Sequence, residues 1–265
     1  MKIGKYYNTR NRPVFSDKND VFSKVPEVTF VFWIIKILAT TLGETGGDAV
    51  SMSMDLGYLV ASVIFAVIFI VSVIVQVTTK KFHPVIYWIT IVATTTVGTT
   101  MADFADRSLG VGYAGGSTIL LVLLMLSLFI WYKSLGPVAV DTVSSPKSEA
   151  FYWVTIMFSQ TLGTALGDWM ADDAGLGYGG SAAVFGAMLG LLAGLYFVTK
   201  LSRTLLFWVA FILTRPLGAV VGDFLDKPLN HGGLALSRYS ASAVLVALIL
   251  VGIFFFPHTP AKRAH

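Results

Sequence analysis

Residues 153–178 read WVTIMFSQTLGTALGDWMADDAGLGY, and three other segments of the chain align with this stretch without a gap. They are residues 33–58 (WIIKILATTLGETGGDAVSMSMDLGY), 88–113 (WITIVATTTVGTTMADFADRSLGVGY) and 208–233 (WVAFILTRPLGAVVGDFLDKPLNHGG). Each copy has a glycine ten residues after its tryptophan and an aspartate five residues later, which gives Asp48, Asp103, Asp168 and Asp223. Successive copies begin 55, 65 and 55 residues apart, which predicts four tandem units of two helices each.

The composition decides which solvent surrounds these helices. The 265 residues are 55% hydrophobic and only 13% charged, with a mean hydropathy of +0.74, whereas a soluble chain would carry about 25% charged residues. Eight apolar runs are long enough for the roughly 20 helical residues that a bilayer needs. These runs cover approximately residues 28–47, 57–77, 83–102, 114–132, 150–167, 181–199, 204–222 and 238–256. We therefore expect an all-α polytopic membrane protein with eight transmembrane helices.

The basic residues predict the orientation of the chain. The net charge of +4 comes from 19 Lys and Arg against 15 Asp and Glu. Most of the basic residues lie at the termini or in the loops after the second, fourth and sixth runs. These are Lys2, Lys5, Arg10, Arg12, Lys18, Lys24, Lys80, Lys81, Lys133, Lys147, Lys200, Arg203, Lys262 and Arg263. Because short loops rich in Lys and Arg stay in the cytoplasm, both termini are expected there, and this basic excess does not indicate a nucleic-acid partner.

The spacing of the copies predicts the organisation of the chain. We expect a basic cytoplasmic segment 1–27, a first half 28–132, a cytoplasmic linker 133–149, a second half 150–256 and a cytoplasmic tail 257–265. Units of two spans all enter the membrane from the same side, so the repeats should be parallel. The second helix of each unit is almost wholly apolar, which predicts an outer ring around the four helices that carry the motif.

The motif helices follow the pattern Gly-x-x-x-Gly/Ala-Asp, and small residues one turn apart let helices approach closely in lipid. The residues expected to pack helices in this way are Gly43, Gly47, Gly98, Gly163, Gly167, Gly218 and Gly222. Each motif aspartate also has an acidic companion one helical turn away. Such pairs relieve their repulsion by sharing a proton or by binding a cation. The alternative is that these acids belong to solvated outer loops and cap the turns that follow.

The pairs are not equivalent, because Arg107 and Lys227 lie four residues after Asp103 and Asp223 and should neutralise the second and fourth copies. Substitution of those two aspartates should therefore have milder effects. The predicted ion-binding residues are Glu44, Asp48, Asp103, Asp168, Asp172 and Asp223. Within this set, the first and third copies should supply the metal ligands Glu44, Asp48, Asp168 and Asp172. Supporting roles are expected for Thr41, Thr96, Thr161, Asp55, Asp106, Asp173, Asp226 and Arg215.

Two cations lie inside the motif helices. Lys36 is expected to extend its ammonium group to the lipid headgroups. Arg215 occupies the repeat position held by Thr40, Thr95 and Gln160, and at that depth it needs a carboxylate or carbonyl partner. A gate, a fixed countercharge and a latch onto an aspartate of another repeat remain open as roles for Arg215.

At these residues the sequence resembles a bacterial family of integral membrane proteins that contain four copies of a repeat of unknown function. The resemblance spans about residues 28–256 and implies a location in the bacterial inner membrane, but it implies no activity. A weaker likeness is to cation/proton exchangers for calcium and manganese, whose helices carry Glu-x-Gly-Asp. Here residues 44–48 (ETGGD) have one extra residue between the acids, and the other copies lack the glutamate.

Taken together, these patterns favour a transporter, in the exporting direction, of a hard divalent cation such as Mn²⁺, Mg²⁺ or Ca²⁺, exchanged for protons at the carboxylate pairs. Oxygen ligands without cysteine suit hard cations, and methionines near the acids leave a softer metal open as an alternative. These are Met52, Met54, Met101 and Met170. The alternative function is a membrane scaffold or sensor with acidic outer loops. We expect no enzymatic activity, because no nucleophile–base pair or phosphate-binding loop is evident. No cofactor is expected, the partners would be lipid, the cation and protons, and a homo-oligomer is left open.

Overall fold

The computed structural model describes residues 23–262. Predictions for the first 22 residues and for residues 263–265 lie outside this range, including those for Lys2, Lys5, Arg10, Arg12, Lys18 and Arg263. Within it the fold is all-α, and the eight-helix prediction is confirmed. The helices are α1 (Phe30–Asp48), α2 (Gly57–Thr78), α3 (Pro84–Asp103), α4 (Tyr113–Leu135), α5 (Pro146–Asp168), α6 (Gly177–Val198), α7 (Arg203–Asp226) and α8 (Arg238–Phe255).

Six of the eight helices in the described part of the chain are long and apolar enough to cross a membrane. They are α2, α3, α4, α6, α7 and α8. The other two, α1 and α5, carry more polar residues along their length, such as Lys36 and Glu44 in α1 and Ser159 and Gln160 in α5. Those polar side chains are buried inside the bundle, so they are not exposed on the outer surface of the protein.

Local sequence signals fix where the motif helices begin. The side chains of Thr29, Ser145 and Ser202 accept hydrogen bonds from backbone amides in the first turns of α1, α5 and α7. Proline occupies the first position of α3 and of α5, where its missing N–H costs nothing. Each motif helix begins before its repeat tryptophan, α5 earliest within the repeat and α1 latest.

The four motif helices form a closed ring. Helix α1 packs on α3, α3 on α5, α5 on α7, and α7 back on α1. Each outer helix packs on the motif helix of the next repeat, so α2 contacts α3, α4 contacts α5, α6 contacts α7, and α8 contacts α1. Of the most apolar window of each helix, 72% is buried in α3 and 61% in α7, against 11% in both α2 and α6. The polar motif is thus enclosed by the ring, and the apolar helices surround it.

The first motif glycine of each repeat gives the ring its close contacts. Each of these glycines faces one repeat-equivalent residue of the following motif helix. The pairs are Gly43 with Thr95, Gly98 with Gln160, Gly163 with Arg215, and Gly218 with Thr40. A Cβ atom at Gly98 would lie 2.9 Å from Gln160 Cβ and 3.0 Å from its backbone carbon. Because the fourth pair returns to α1, the same contact closes the circle.

The second motif glycines repeat this arrangement one turn later. Gly47 faces Thr99 and Thr100, Gly167 faces Ala219, and Gly222 faces Glu44. The glycines therefore set the distance between neighbouring motif helices along two successive turns.

Aromatic side chains fill the bundle axis near the amino-terminal ends of the motif helices. Phe32, Tyr87, Tyr152 and Phe207 occupy equivalent repeat positions and are buried. The hydroxyls of Tyr87 and Tyr152 are hydrogen-bonded at 2.7 Å, and the ring centroids of Phe32 and Phe207 lie 6.3 Å apart. The axis is closed at this end.

The motif helices end differently at the opposite side. A five-residue π-helical turn follows the motif aspartate in the first three repeats, covering Ala49–Ser53, Phe104–Ser108 and Trp169–Asp173. In the fourth repeat α7 continues to Asp226 and stops before Pro228, which lacks a backbone N–H. These π-helical turns and the end of α7 therefore lie next to the motif aspartates in the chain.

Candidate ion-binding site

Residues spaced four apart on each motif helix share one face, and in the ring these faces meet. They form three stacked layers of repeat-equivalent side chains, all buried. From the middle of the helices toward their carboxyl ends, the layers are Thr40/Thr95/Gln160/Arg215, Glu44/Thr99/Thr164/Ala219 and Asp48/Asp103/Asp168/Asp223. We call this set of side chains the axial column.

Arg215 links all four repeats in the middle of the axial column. Its Nη2 atom lies 3.0 Å from the carboxylate of Glu44 and 2.5 Å from the hydroxyl oxygens of Thr99 and of Thr164. Its Nη1 atom donates to the carbonyl of Thr40 at 3.4 Å. The partner anticipated for Arg215 is therefore a glutamate of the first repeat, assisted by hydroxyls, and not a motif aspartate.

Above Arg215, the carboxylates gather into two groups that share Asp48. Glu44, Asp48 and Asp103 each offer one oxygen, and these oxygens lie within 4.8 Å of one another. Asp48, Asp223 and Asp226 form a second group by the same criterion. Three converging carboxylate oxygens from buried side chains are the ligand type that hard divalent cations prefer.

Basic side chains from several repeats hold these carboxylates. Lys227 contacts Asp48 at 2.5 Å and Asp223 at 2.9 Å. Arg238, at the start of α8, contacts Asp226 at 2.9 Å and Asp48 at 3.7 Å.

Arg107 bridges two further motif aspartates. It lies 3.0 Å from Asp103 and 3.3 Å from Asp168. Every motif aspartate thus has a basic partner, and Arg107, Lys227 and Arg238 each join acids of two different motif helices or repeats.

The ammonium group of Lys227 stays charged in this setting. Burial by itself lowers the pKa of Lys227, but the neighbouring carboxylates of Asp223, Asp48 and Asp226 raise it by more. The result is a pKa well above the ordinary lysine value. Lys227 is consequently a fixed positive charge beside the carboxylates across the physiological pH range.

The charges of this network do not cancel when all groups are ionised. Among residues 23–262, six buried carboxylates (Glu44, Asp48, Asp103, Asp168, Asp223 and Asp226) contact four basic side chains (Arg107, Arg215, Lys227 and Arg238). Six negative charges against four positive ones leave an excess of two. An uncompensated charge in a low-dielectric interior is costly, so two protons or one divalent cation would complete the balance.

The structure corrects the predicted difference between repeats. Arg107 and Lys227 do contact the aspartates four residues before them, as expected. They also reach Asp168 and Asp48, so the prediction that the first and third repeats lack a neutralising cation is wrong. The expectation of milder effects at Asp103 and Asp223 loses its basis, since both belong to the carboxylate groups around Asp48.

Several predicted site residues lie away from the carboxylate groups. Asp55, Asp172 and Asp173 are exposed, and Asp106 is only partly buried. Asp172 is therefore not placed with Glu44 and Asp48 as a metal ligand. Asp168 is buried but is held by Arg107 rather than included in either three-carboxylate group of the described residues.

The predicted supporting threonines each lie one residue after the position of the motif helix that faces the axis. The hydroxyls of Thr41, Thr96 and Thr161 donate to carbonyls of their own helices, at Ile37, Val92 and Met157. Consecutive helical residues point about 100° apart, so the neighbouring layer positions face the axis instead. A four-residue count back from each motif aspartate would have found Thr99 and Thr164.

Lys36 also differs from expectation. It was expected to reach the headgroups, but its side chain is fully buried, with Nζ 4.2 Å from the centroid of the Phe211 ring. Among residues 23–262 this Nζ has no hydrogen-bond partner. Lys36 therefore places a buried amino group on the aromatic side of Arg215.

This architecture defines an all-α bundle of four tandem two-helix repeats around a buried charged network. The family model described as Repeat of Unknown Function (DUF347) matches the chain four times, at residues 31–82, 86–136, 151–202 and 206–258. The chain belongs to this family, and the resemblance to a family with a fourfold repeat is confirmed. No curated protein and no solved structure shows significant similarity to the chain.

Proposed function

We propose that the protein is a membrane transporter that exchanges a hard divalent cation for protons at the carboxylates around Asp48. The observation that carries the proposal is the pair of three-carboxylate groups that share Asp48 at the centre of a fourfold helix ring. Ionisable side chains inside a membrane bundle are costly and typically mark an ion pathway.

The charge balance supports exchange with protons. The buried network has two more carboxylates than basic groups, so a divalent ion and two protons are electrically equivalent occupants. Binding of the ion would release protons, and protonation would release the ion. This linkage makes one set of carboxylates sufficient for both substrates of an exchanger.

The ligand chemistry supports a hard cation. Carboxylate oxygens form both groups, with threonine hydroxyls one layer below. The chain has no cysteine to bind soft metals through sulfur. Mn²⁺, Mg²⁺ and Ca²⁺ are accordingly the first ions to test.

We place the protein in the bacterial cytoplasmic membrane, with both termini in the cytoplasm and export as the direction. Six helices apolar enough to cross a bilayer support the membrane location. The basic loops lie at the aromatic end of the bundle and the carboxylates at the other end, which supports carboxylates near the external face.

Proteoliposome flux tests the proposal directly. Purified protein would be reconstituted and the uptake of Mn²⁺, Mg²⁺ and Ca²⁺ measured with and without an imposed pH gradient. We expect flux of at least one ion, accelerated by the gradient, and its loss in Asp48→Asn, which removes one negative charge from both carboxylate groups. Asp55→Asn is the matched control, because Asp55 belongs to the same repeat but is exposed.

Two results would contradict the proposal. One is the absence of flux for every ion from protein that is demonstrably folded. The other is equal flux in the parent and Asp48→Asn. Binding of a divalent ion without any flux would instead favour the scaffold or sensor alternative.

A further inference from the structure

The Arg215 guanidinium lies in an environment that resembles a cation coordination shell. Four oxygens surround it, from the Thr40 carbonyl, the Glu44 carboxylate and the hydroxyls of Thr99 and Thr164. They come from the first three repeats, while the cation itself comes from the fourth. All of these residues are buried, with none more than 2% exposed.

The repeat positions show how this arrangement arises. Arg215 replaces a threonine or glutamine of the other copies, and one turn later Ala219 stands where those copies carry Glu44, Thr99 and Thr164. A small side chain at Ala219 leaves the fourth corner of that layer without a ligand. The guanidinium reaches into the layer from the position below and contacts the other three corners.

The layer that contains Arg215 also contains buried polar atoms without hydrogen-bond partners among the described residues. Neither the amide oxygen nor the amide nitrogen of Gln160 has a hydrogen-bond partner within the described chain, and Thr95 Oγ1 also lacks one. Both side chains are fully buried. Buried polar atoms of this kind normally find partners, and the Gln160 oxygen is an acceptor that a retracted Arg215 side chain could use.

We propose that the oxygens around the Arg215 guanidinium form an inner cation site, which Arg215 occupies as a tethered cation. The substrate cation takes this site by displacing the guanidinium toward Gln160. The inference rests on the proposed transport function and deepens it, because it adds a second position for the ion one layer below the Asp48 groups. Glu44 belongs to both positions, so it can pass the ion between them.

Guanidinium rescue tests the site without any transport measurement. Arg215→Ala would be purified in detergent and its melting temperature measured with and without millimolar guanidinium chloride. We expect guanidinium to raise the melting temperature of Arg215→Ala by a few degrees, because a ligand that binds only the folded state stabilises it. The parent and the double variant Glu44→Gln/Arg215→Ala should show no such rise. If Arg215→Ala folds only with guanidinium present, its folded yield gives the same readout.

Metal binding tests the competition between Arg215 and the ion. Calorimetry with Mn²⁺ would compare the parent with Arg215→Gln, which carries the residue found in the third repeat. Removing the competitor should tighten Mn²⁺ binding by about tenfold or more, equivalent to about 1.4 kcal/mol. Arg203→Gln is the matched control, because Arg203 lies at the start of the same helix and contacts Tyr196, far from the column.

The outcomes separate the two proposals. Absence of guanidinium rescue, together with unchanged Mn²⁺ affinity in Arg215→Gln, overturns the inner site while leaving transport through the Asp48 groups intact. Guanidinium rescue in a protein that neither binds nor transports any divalent ion would show that these oxygens bind the guanidinium alone, and it would overturn both the displacement of Arg215 by a substrate ion and the proposed function.

Discussion

Gly98 offers a test of how tightly the motif helices pack. In Gly98→Ala the new Cβ would lie 2.9 Å from Gln160 Cβ and 3.0 Å from the Gln160 carbonyl carbon and the Thr161 nitrogen. Two of these three neighbours are backbone atoms, which cannot rotate away, so α3 and α5 must separate. Overpacking of this kind costs about 1–3 kcal/mol.

Gly46→Ala is the matched control for this substitution. Gly46 also lies within a motif helix, but its Cβ would meet only Leu42 Cδ1, at 3.9 Å. Replacing glycine by alanine within a helix gains about 1 kcal/mol in either variant, so this term cancels in the comparison. The free energy of unfolding of Gly98→Ala should therefore fall below that of Gly46→Ala by about 1–3 kcal/mol.

Reversible unfolding in detergent micelles would measure both variants under the same conditions. A Gly98→Ala protein as stable as Gly46→Ala would refute the close contact between α3 and α5. It would also contradict the conclusion that the motif glycines set the width of the axial column.

Two further predictions concern the charged network and the topology. Among the described residues, Lys227→Met leaves Asp223 without an ion-pair partner, and leaves Asp48 and Asp226 with Arg238 alone. The free energy of unfolding should therefore fall by about 3–5 kcal/mol, and Ca²⁺ or Mn²⁺ should restore part of it in a thermal shift assay. A melting temperature of Lys227→Met that does not respond to either ion would contradict the carboxylate site. Because the chain has no cysteine, Ser108→Cys and Ser134→Cys provide clean single labels at exposed helix ends. A membrane-impermeant maleimide should label Ser108→Cys in intact cells and Ser134→Cys only after permeabilisation, and the reverse pattern would invert the proposed orientation.

The site residues that could be predicted from the sequence are those that belong to the repeated motif. The four motif aspartates and Glu44 belong to the buried network, and their positions follow from a gapless alignment of the chain with itself. Which threonines face the axis could not be read so directly from the sequence. Thr40 and Thr41 are adjacent and chemically identical, and only the four-residue spacing from the aspartates distinguishes which one belongs to the axial face.

The ion pairs between distant repeats depend on the closed ring of motif helices. Lys227 and Asp48 are separated by 179 positions in the chain, and no local pattern links them. They meet because the fourth motif helix packs against the first and closes the circle. The same closure brings Glu44 to Gly222 and Arg215 to Glu44.

The number of helices, the fourfold repeat and the scarcity of charge follow from the amino-acid sequence, because hydrophobic runs and internal alignment are local properties of the chain. Which charges neutralise one another and which hydroxyls face the axis depend on how the helices pack. Those outcomes depend on helix rotation and on contacts between distant repeats, where a turn of about 100° per residue moves a side chain from the axis to a neighbouring helix.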